Sequence, residues 1–386
     1  MFFHNFIFEK TQKTEKAPPN NAIALDFSAD KYYNIYIDRT KRKDKIMKKY
    51  LIPESGNFYK ANLHCHSTVS DGALSPEELK KIYMEKGYSI IAYTDHDVMI
   101  PHFDLQDENF LPLTGFEMEF NERGKTDFSI TKTAHLCFIA LSPEQRKQPN
   151  KPHDGYLFGN AKKYAHLVEY YDEPVFYRNF TAEKINTAIK NAKEKGFFVT
   201  YNHPIWSLEN RESYLTYEGM DAMEICNYGC IVVGYNDYVP QIYDEMLMSG
   251  KRIFCTATDD NHNLGPAGTR KFDSFGGFTM IKADKLEYET ITKALTDGHF
   301  YSSQGPEIHS LWFEDGKIKL TCSPADRIYI NTGRRRAVCE YAENGNLLTS
   351  ASFRVDPNDV YVRITVIDEK GYPANTNAYF TDELFG

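Results

Sequence analysis

Six of the chain's twelve histidines stand beside carboxylates at the ends of apolar runs. His64-Cys65-His66 closes the first run, and Asp71 follows five residues later. In a strand, residues i and i+2 share a face, so the imidazoles of His64 and His66 point together and Cys65 points away. Thr94-Asp95-His96-Asp97 closes the second run, Glu117 the third, and His203 the fifth, within Asn202-His203-Pro204. His135 opens the fourth run instead of closing it, and Asp259-Asp260-Asn261-His262 closes the seventh. Imidazoles and carboxylates converging on one place bind divalent transition ions. Each residue alone has a plainer explanation: a strand-end histidine is usually a hydrogen-bonded structural residue, and Glu119 competes with Glu117. The joint pattern points to a metal centre.

Such residues need a frame that gathers strand ends on one face. The apolar runs at 58–66, 89–95, 110–117, 134–141, 197–203, 220–227, 252–260 and 277–283 alternate with helical patterns. The first helix begins at the N-cap Ser75, with Pro76 in its first turn and Glu78 completing a capping box, and ends at Gly87. Further helices are predicted from Thr181 to Lys195 and from Leu286 to Thr296, closed by Gly196 and Gly298. This alternation predicts parallel strands in a barrel-like α/β fold, whose strand C-terminal ends form one rim. Residues 142–180 break the rhythm and read as an inserted surface excursion able to act as a lid. After Gly305-Pro306, alternating strands joined by Asp-Gly, Asn-Gly and Lys-Gly turns predict a small antiparallel β-sandwich over 300–386. Residues 1–57 read as an N-terminal extension, with a hairpin pattern at 22–37 and a basic run at 39–45. Met47 offers an alternative start, so residues 1–46 are expected to be dispensable.

A length of 386 residues suits one barrel with a small appendage. With 41% apolar and 26% charged residues, whole-chain disorder is excluded. The balance of 45 basic and 54 acidic residues leaves a net charge of −9, which argues against a nonspecific nucleic-acid binder. No apolar stretch reaches the roughly 18 residues of a membrane-crossing helix, and no basic leader with a cleavage site is seen, so a cytoplasmic protein is expected. Seven scattered cysteines suit free thiols better than a disulfide framework, and Cys226 and Cys230 lack the second pair that a zinc ribbon would need.

The stretches Asn62-Leu-His-Cys-His-Ser-Thr-Val-Ser-Asp-Gly72, Ala92-Tyr-Thr-Asp-His-Asp97 and Asn202-His-Pro204 resemble motifs of the polymerase and histidinol phosphatase (PHP) family of metal-dependent phosphoesterases. The resemblance covers about 58–300. It implies a distorted (β/α)7 TIM-like barrel over 58–299 holding two or three divalent ions, Mn, Zn or Fe. Carried over by position, it implies the ligands His64, His66, Asp71, His96, Glu117, His135, His203, Asp260 and His262. The family's last motif usually reads Ser-Asp-x-His; here two aspartates precede Asn261-His262, and Asp260, two residues before His262, is preferred. The tail resembles a C-terminal accessory domain of some members.

Nine ligands exceed what one tetrahedral zinc needs, and Glu117 would bridge adjacent ions. Asp71, Glu117, His262 and Asp95 are the catalytic candidates, with Asp95 and Asp97 equally able to orient histidines or cap turns. Arg270 and Lys271 could hold a phosphate or form a plain solvated pair. His102 could touch substrate or sit in a surface loop, and Trp206 could stack on a ring or pack under its own loop. Glu224 and Asn227 end a strand on the same rim. The expected activity is hydrolysis of a small-molecule phosphate ester or nucleotide by a metal-activated hydroxide, with nucleic acid only as a substrate end and no membrane partner. Hydrolysis of an amide or non-phosphate ester, or a noncatalytic metal-binding module, are the alternatives.

Overall fold

A computed structural model describes residues 48–125 and 127–386 of the chain; the hairpin pattern at 22–37 and the basic run at 39–45 lie outside the described residues. Each of the eight apolar runs forms a strand: β1 (Asn57–Cys65), β2 (Tyr88–Tyr93), β3 (Leu111–Asn121), β4 (Thr133–Ala140), β5 (Phe197–Asn202), β6 (Ala222–Asn227), β7 (Phe254–Thr258) and β8 (Phe278–Ala283). They are hydrogen-bonded in the order β7-β6-β5-β4-β3-β2-β1-β8. Helix α1 (Pro76–Met84) carries the expected capping box of Ser75 and Glu78. Helix α2 (Ala182–Glu194) is capped by Thr181 and buries Ile185, Ala188, Ile189 and Ala192, one stripe at helical spacing. That stripe shares a core with Phe116, Phe138 and Phe197 of β3, β4 and β5. Each isoleucine or phenylalanine side chain there contributes about 1.5–3 kcal/mol on burial.

The fold is α/β, but two of its strands depart from the all-parallel expectation. Strand β4 runs antiparallel to both β3 and β5, and β8 runs antiparallel to β1. The connection from β3 to β4, residues 122–132, is too short for a crossover helix, so the chain turns back as a hairpin. No closed barrel ladder forms among the described residues: the sheet is an open path, and β7 and β1 do not pair along their lengths. Past the end of β7 the chain does bridge the gap to the end of β1, because Asp260 N donates to His64 O at 2.9 Å and His66 N to Asn261 O at 3.1 Å.

The reversal of β4 leaves the chain at the end of the sheet opposite the histidines, where Leu141 N donates to Gly196 O. Residues 142–180 climb back to the rim, reaching it where Phe180 N donates to Asn121 O at the far end of β3. Helix α2 then descends to the start of β5.

The sheet continues beyond β8 through β9 (Phe300–Ser303) into tail strands. A second, antiparallel sheet contains Ile308–Glu314, Lys317–Ala325 and Leu348–Arg354. The two enclose one core that includes Leu311, Leu320, Phe353, Ile328 and Ile364. Lys49–Tyr50 adds an edge strand to the second sheet, and Leu51 and Ile52 enter that core. The end of the segment read from sequence as an extension is therefore built into the tail. All seven cysteines are free thiols. Among the described residues no helix is long and apolar enough to cross a membrane.

Candidate metal centre

Each histidine reaches the rim by a different local device. His64 lies in the last turn of pleat of β1, and His66 follows it into a tight turn closed by Gly72 N donating to Ser67 O. A Cβ on Gly72 would stand 2.5 Å from His66 O, so only glycine lets the turn close. Asp95 fastens this turn: its carboxylate accepts from the backbone N and hydroxyl of both Ser67 and Ser70 at 2.7–3.0 Å. It joins none of the metal-capable groups. Asp95, expected as a catalytic candidate, lies under the turn between His66 and Asp71 and has its carboxylate taken up by Ser67 and Ser70.

His135 is presented by the reversed strand. Because β4 starts at the rim, its first residues pair with the ends of β3 and β5, with His135 opposite Glu119 and Asn202. Asp97, His203 and Asp260 all have positive φ, at 61°, 27° and 48°. Left-handed backbone at non-glycine residues costs on the order of 1–3 kcal/mol each and clusters at functional sites. Strand β7 stops at Thr258, so Asp260 enters the cluster by this turn of the backbone and not as part of an extended strand.

Glu117 is the centre of the arrangement and is buried. Its Oε1 lies 3.2 Å from His64 Nε2, 3.0 Å from His135 Nδ1 and 3.4 Å from His203 Nε2. Its Oε2 lies 3.3 Å from His66 Nε2 and 3.3 Å from His96 Nδ1. Asp260 Oδ1 is 3.1 Å from both His64 Nε2 and His66 Nε2. Asp71 Oδ2 is 3.2 Å from His262 Nε2 and 3.8 Å from His96 Nε2. Three overlapping groups result: His66, Asp71, His96 and His262; His64, His66, Glu117 and Asp260; and Glu117, His135 and His203. The nine residues singled out from sequence are thereby brought together, although Asp260 and His262 fall in different groups.

The donor set fits divalent ions. His64 Nε2 and His66 Nε2 face each other at 3.1 Å, and His66 Nδ1, His135 Nε2 and Asp260 Oδ1 are buried without a hydrogen-bond partner. Buried polar atoms normally find partners, so orphans clustered here mark a place for a ligand. The charges agree. Burial alone would raise the Glu117 carboxyl, yet His64, His135 and His96 hold it well below the usual range. Burial opposes the charged form of His203, but its hydrogen bond to Glu117 and the charge of Asp260 outweigh this and hold it up at about 9. Burial, joined by His66, pulls His96 down to about 3. Buried carboxylates kept ionised require cations beside them, and metal ions can take the place of these protons.

Residues 62–232 match the family model of the PHP domain. The chain carries a PHP domain. A DNA polymerase/3'-5' exonuclease PolX of Bacillus subtilis is 31% identical over 101 residues, which is 22% of this chain and 18% of the relative. A 5'-3' exoribonuclease of Haemophilus influenzae is 36% identical over 70 residues, 17% of this chain and 26% of the relative. The matches thus span about a fifth to a quarter of those relatives' length. A solved two-domain protein of Bacteroides vulgatus, described as containing a predicted PHP-like metal-dependent phosphoesterase, is 14% identical with a TM-score of 0.41, covering 88% of this chain and 91% of that one.

Around the PHP domain's histidines lie partners that sequence alone weights lightly. Glu224 Oε1 accepts from Thr258 Oγ1 and lies 2.8 Å from His64 Nδ1, while its Oε2 accepts from His203 N. The local pattern places it only at a strand end on the same rim, because these partners are 21 to 160 residues away. Ser207 Oγ lies 3.1 Å from His203 Nδ1, and Asn202 Nδ2 donates to Glu117 Oε1 at 3.1 Å. Asp97 receives the forked guanidinium of Arg178, with Nη2 to Oδ2 at 2.7 Å.

A cavity of about 800 Å³ opens over the cluster. Trp206 and Lys271 line it; Arg270 and His102 do not. Trp206 stands edge-on to His203 and His135, with ring centroids 5.1 and 5.2 Å apart. His102 packs against Tyr93 at 4.7 Å, so its expected role as a substrate contact has no support from its position.

Proposed function

We propose that the chain is a metal-dependent phosphoesterase that hydrolyses a phosphate ester of a small molecule or nucleotide. The observation that carries this reading is Glu117, a buried carboxylate whose two oxygens face different sets of imidazoles, as a carboxylate shared between two metal positions must. His64, His66, Asp71, His96, Glu117, His135, His203, Asp260 and His262 would hold two or three divalent ions, Mn, Zn or Fe. Mixed imidazole and carboxylate ligation suits these ions better than magnesium. Ions held there supply an activated water near neutral pH and positive charge for the phosphoryl oxygens.

The chain's own residues do the rest. Glu224 and Ser207 fix the ring orientations of His64 and His203. Asp95 holds the turn that carries Asp71, and Arg178 holds Asp97 beside His96. Lys271 stands at the rim, where a substrate's phosphoryl group would meet it. In this reading residues 58–299 form a distorted (β/α)7 barrel whose seam is bridged by backbone hydrogen bonds between the end of β1 and the residues after β7, and 300–386 form an accessory β-sandwich.

The test is phosphate release from a panel of phosphate esters by Mn-reconstituted protein, alongside amide and lactone panels. Phosphate release that is lost on chelation and restored by metal supports the proposal. Hydrolysis confined to amides or lactones overturns it.

A further inference from the structure

The cavity's floor is polar, but its mouth is not. Four large apolar side chains on its lining are unusually bare: Phe128 is 59% exposed, Phe158 57%, Val233 67% and Leu264 77%. Trp206 joins them and touches Phe128, with ring centroids 5.9 Å apart. The five side chains come from five separate segments: the β3–β4 connection, the 142–180 excursion, the loop after β5, the end of the short helix after β6 and the loop after His262. Apolar side chains scattered singly on a surface need no explanation, but five converging on one opening do.

The charge at the same opening is equally uneven. Among the described residues Lys271 is the one lysine or arginine side chain on the lining, against Asp71, Glu117, Glu119, Asp260 and Asp273. Lys271 makes no ion pair among the described residues, whereas Asp273 is engaged by the backbone N of His262 and Asn263. A strand of nucleic acid draws its affinity from several basic contacts to successive phosphates. This mouth offers one, Lys271; Asp71, Glu117 and Asp260 belong to the proposed ligand set, and the remaining charged side chains, Glu119 and Asp273, give no attraction to a second phosphate.

We infer that the site takes a single phosphate monoester whose alcohol part is apolar and aromatic, with the ring held among Phe128, Trp206, Phe158 and Leu264 and the phosphate over the metal cluster near Lys271. This rests on the phosphoesterase reading and narrows it: polar sugar phosphates, polyphosphates and polynucleotide ends are disfavoured. Ring-on-ring contact and burial of exposed apolar surface supply the preference.

Binding of non-hydrolysable phosphonates to the full, Mn-loaded chain tests it by calorimetry. Benzylphosphonate should bind at least about tenfold more tightly than methylphosphonate, a difference of about 1.4 kcal/mol. The double variant Phe128→Ala/Trp206→Ala should shrink that ratio to within about threefold, and circular dichroism checks that it folds. A 5'-phosphorylated oligonucleotide should bind no more tightly than benzylphosphonate. Equal binding of the two phosphonates by protein that does hydrolyse phosphate esters overturns this inference and leaves the phosphoesterase reading standing. Tenfold tighter binding of the oligonucleotide overturns it in favour of a nucleic-acid substrate. Failure of both phosphonates to bind, together with no phosphate release from any ester, overturns the phosphoesterase reading and this inference with it.

Discussion

Asp259 and Asp260 are adjacent carboxylates with different loads, and changing each to its amide separates metal binding from folding. Asp259 accepts from Phe275 N at 2.7 Å, Gly276 N and Gly277 N at 2.9 Å, and Tyr83 Oη at 2.8 Å. In Asp259→Asn one oxygen becomes an NH2 group. With the remaining oxygen kept toward the glycines, that NH2 faces the Phe275 N–H, and a buried donor loses its acceptor at a cost of about 1–3 kcal/mol. Loss of charge from the other bonds brings the total to about 2–4 kcal/mol. At roughly 1.2 °C per kcal/mol for a chain of 386 residues, the melting temperature should fall by about 2–5 °C. Asp260→Asn acts elsewhere. It removes a negative charge from between His64, His66 and His203, so metal affinity should drop at least about tenfold. Its melting temperature in chelator should stay near that of the parent, because the neighbouring imidazoles can release their protons. The assays are elemental analysis after Mn reconstitution and thermal unfolding in chelator. If Asp259→Asn strips the metal at unchanged melting temperature, or Asp260→Asn keeps its full complement, the division of labour between the two is wrong.

Other perturbations have equally definite outcomes. Elemental analysis of reconstituted protein should find more than one divalent ion per chain, and Glu117→Gln should reduce that number more than any single histidine-to-alanine change. Arg178→Met leaves Asp97 buried and unpaired, so it should destabilise the protein by about 3–5 kcal/mol in denaturant titrations. Glu209 is buried, and its carboxyl is pushed up to about 8 by that burial, against the opposing hydrogen bonds of Tyr217 and Tyr201. Between the ordinary carboxyl value of 4.5 and about 8 the folded state holds a proton that the unfolded chain has lost, so this group makes stability fall as pH rises through that window. Glu209→Gln should flatten the decline, and parallel melting curves from pH 5 to 9 in chelator would show no change of slope if the assignment is mistaken. Removing residues 1–46 should leave the melting temperature unchanged, whereas removing 1–52 takes Leu51 and Ile52 out of the tail's core and should lower it by several degrees.

The parts legible in the sequence are those written in local pattern. The eight strands show as apolar runs between turn residues, and the Ser75–Glu78 box marks α1 because both halves of the cap lie three residues apart. Strand direction is not local. A strand reads the same forwards and backwards, so the reversal of β4 is invisible, and with it the reason why His135 opens its run. The nine clustered residues are visible as a set because their types repeat at run after run. Their geometry is less so. An extended-strand argument selects Asp260, yet the residue arrives through a left-handed turn beyond the end of β7. Asp95 shows the limit most clearly, since a carboxylate beside a histidine looks the same whether it binds metal or ties down Ser67 and Ser70. Contacts such as Glu224 with His64 bridge 160 residues and exist only once the sheet has formed.

The backward strand has a consequence for how this mouth could diversify. Once β4 has carried the chain away from the rim, something must carry it up again before α2 can descend. Thirteen residues of helix at 1.5 Å each make that height about 20 Å, which six or seven extended residues would cover. The chain spends residues 142–180 on it, leaving about thirty beyond the requirement. That surplus carries Phe158 to the cavity and Arg178 to Asp97, yet no strand of the main sheet depends on its length. Insertions or deletions there could reshape one wall of the opening while the nine clustered residues kept their places, so relatives with the same histidines need not accept the same molecules.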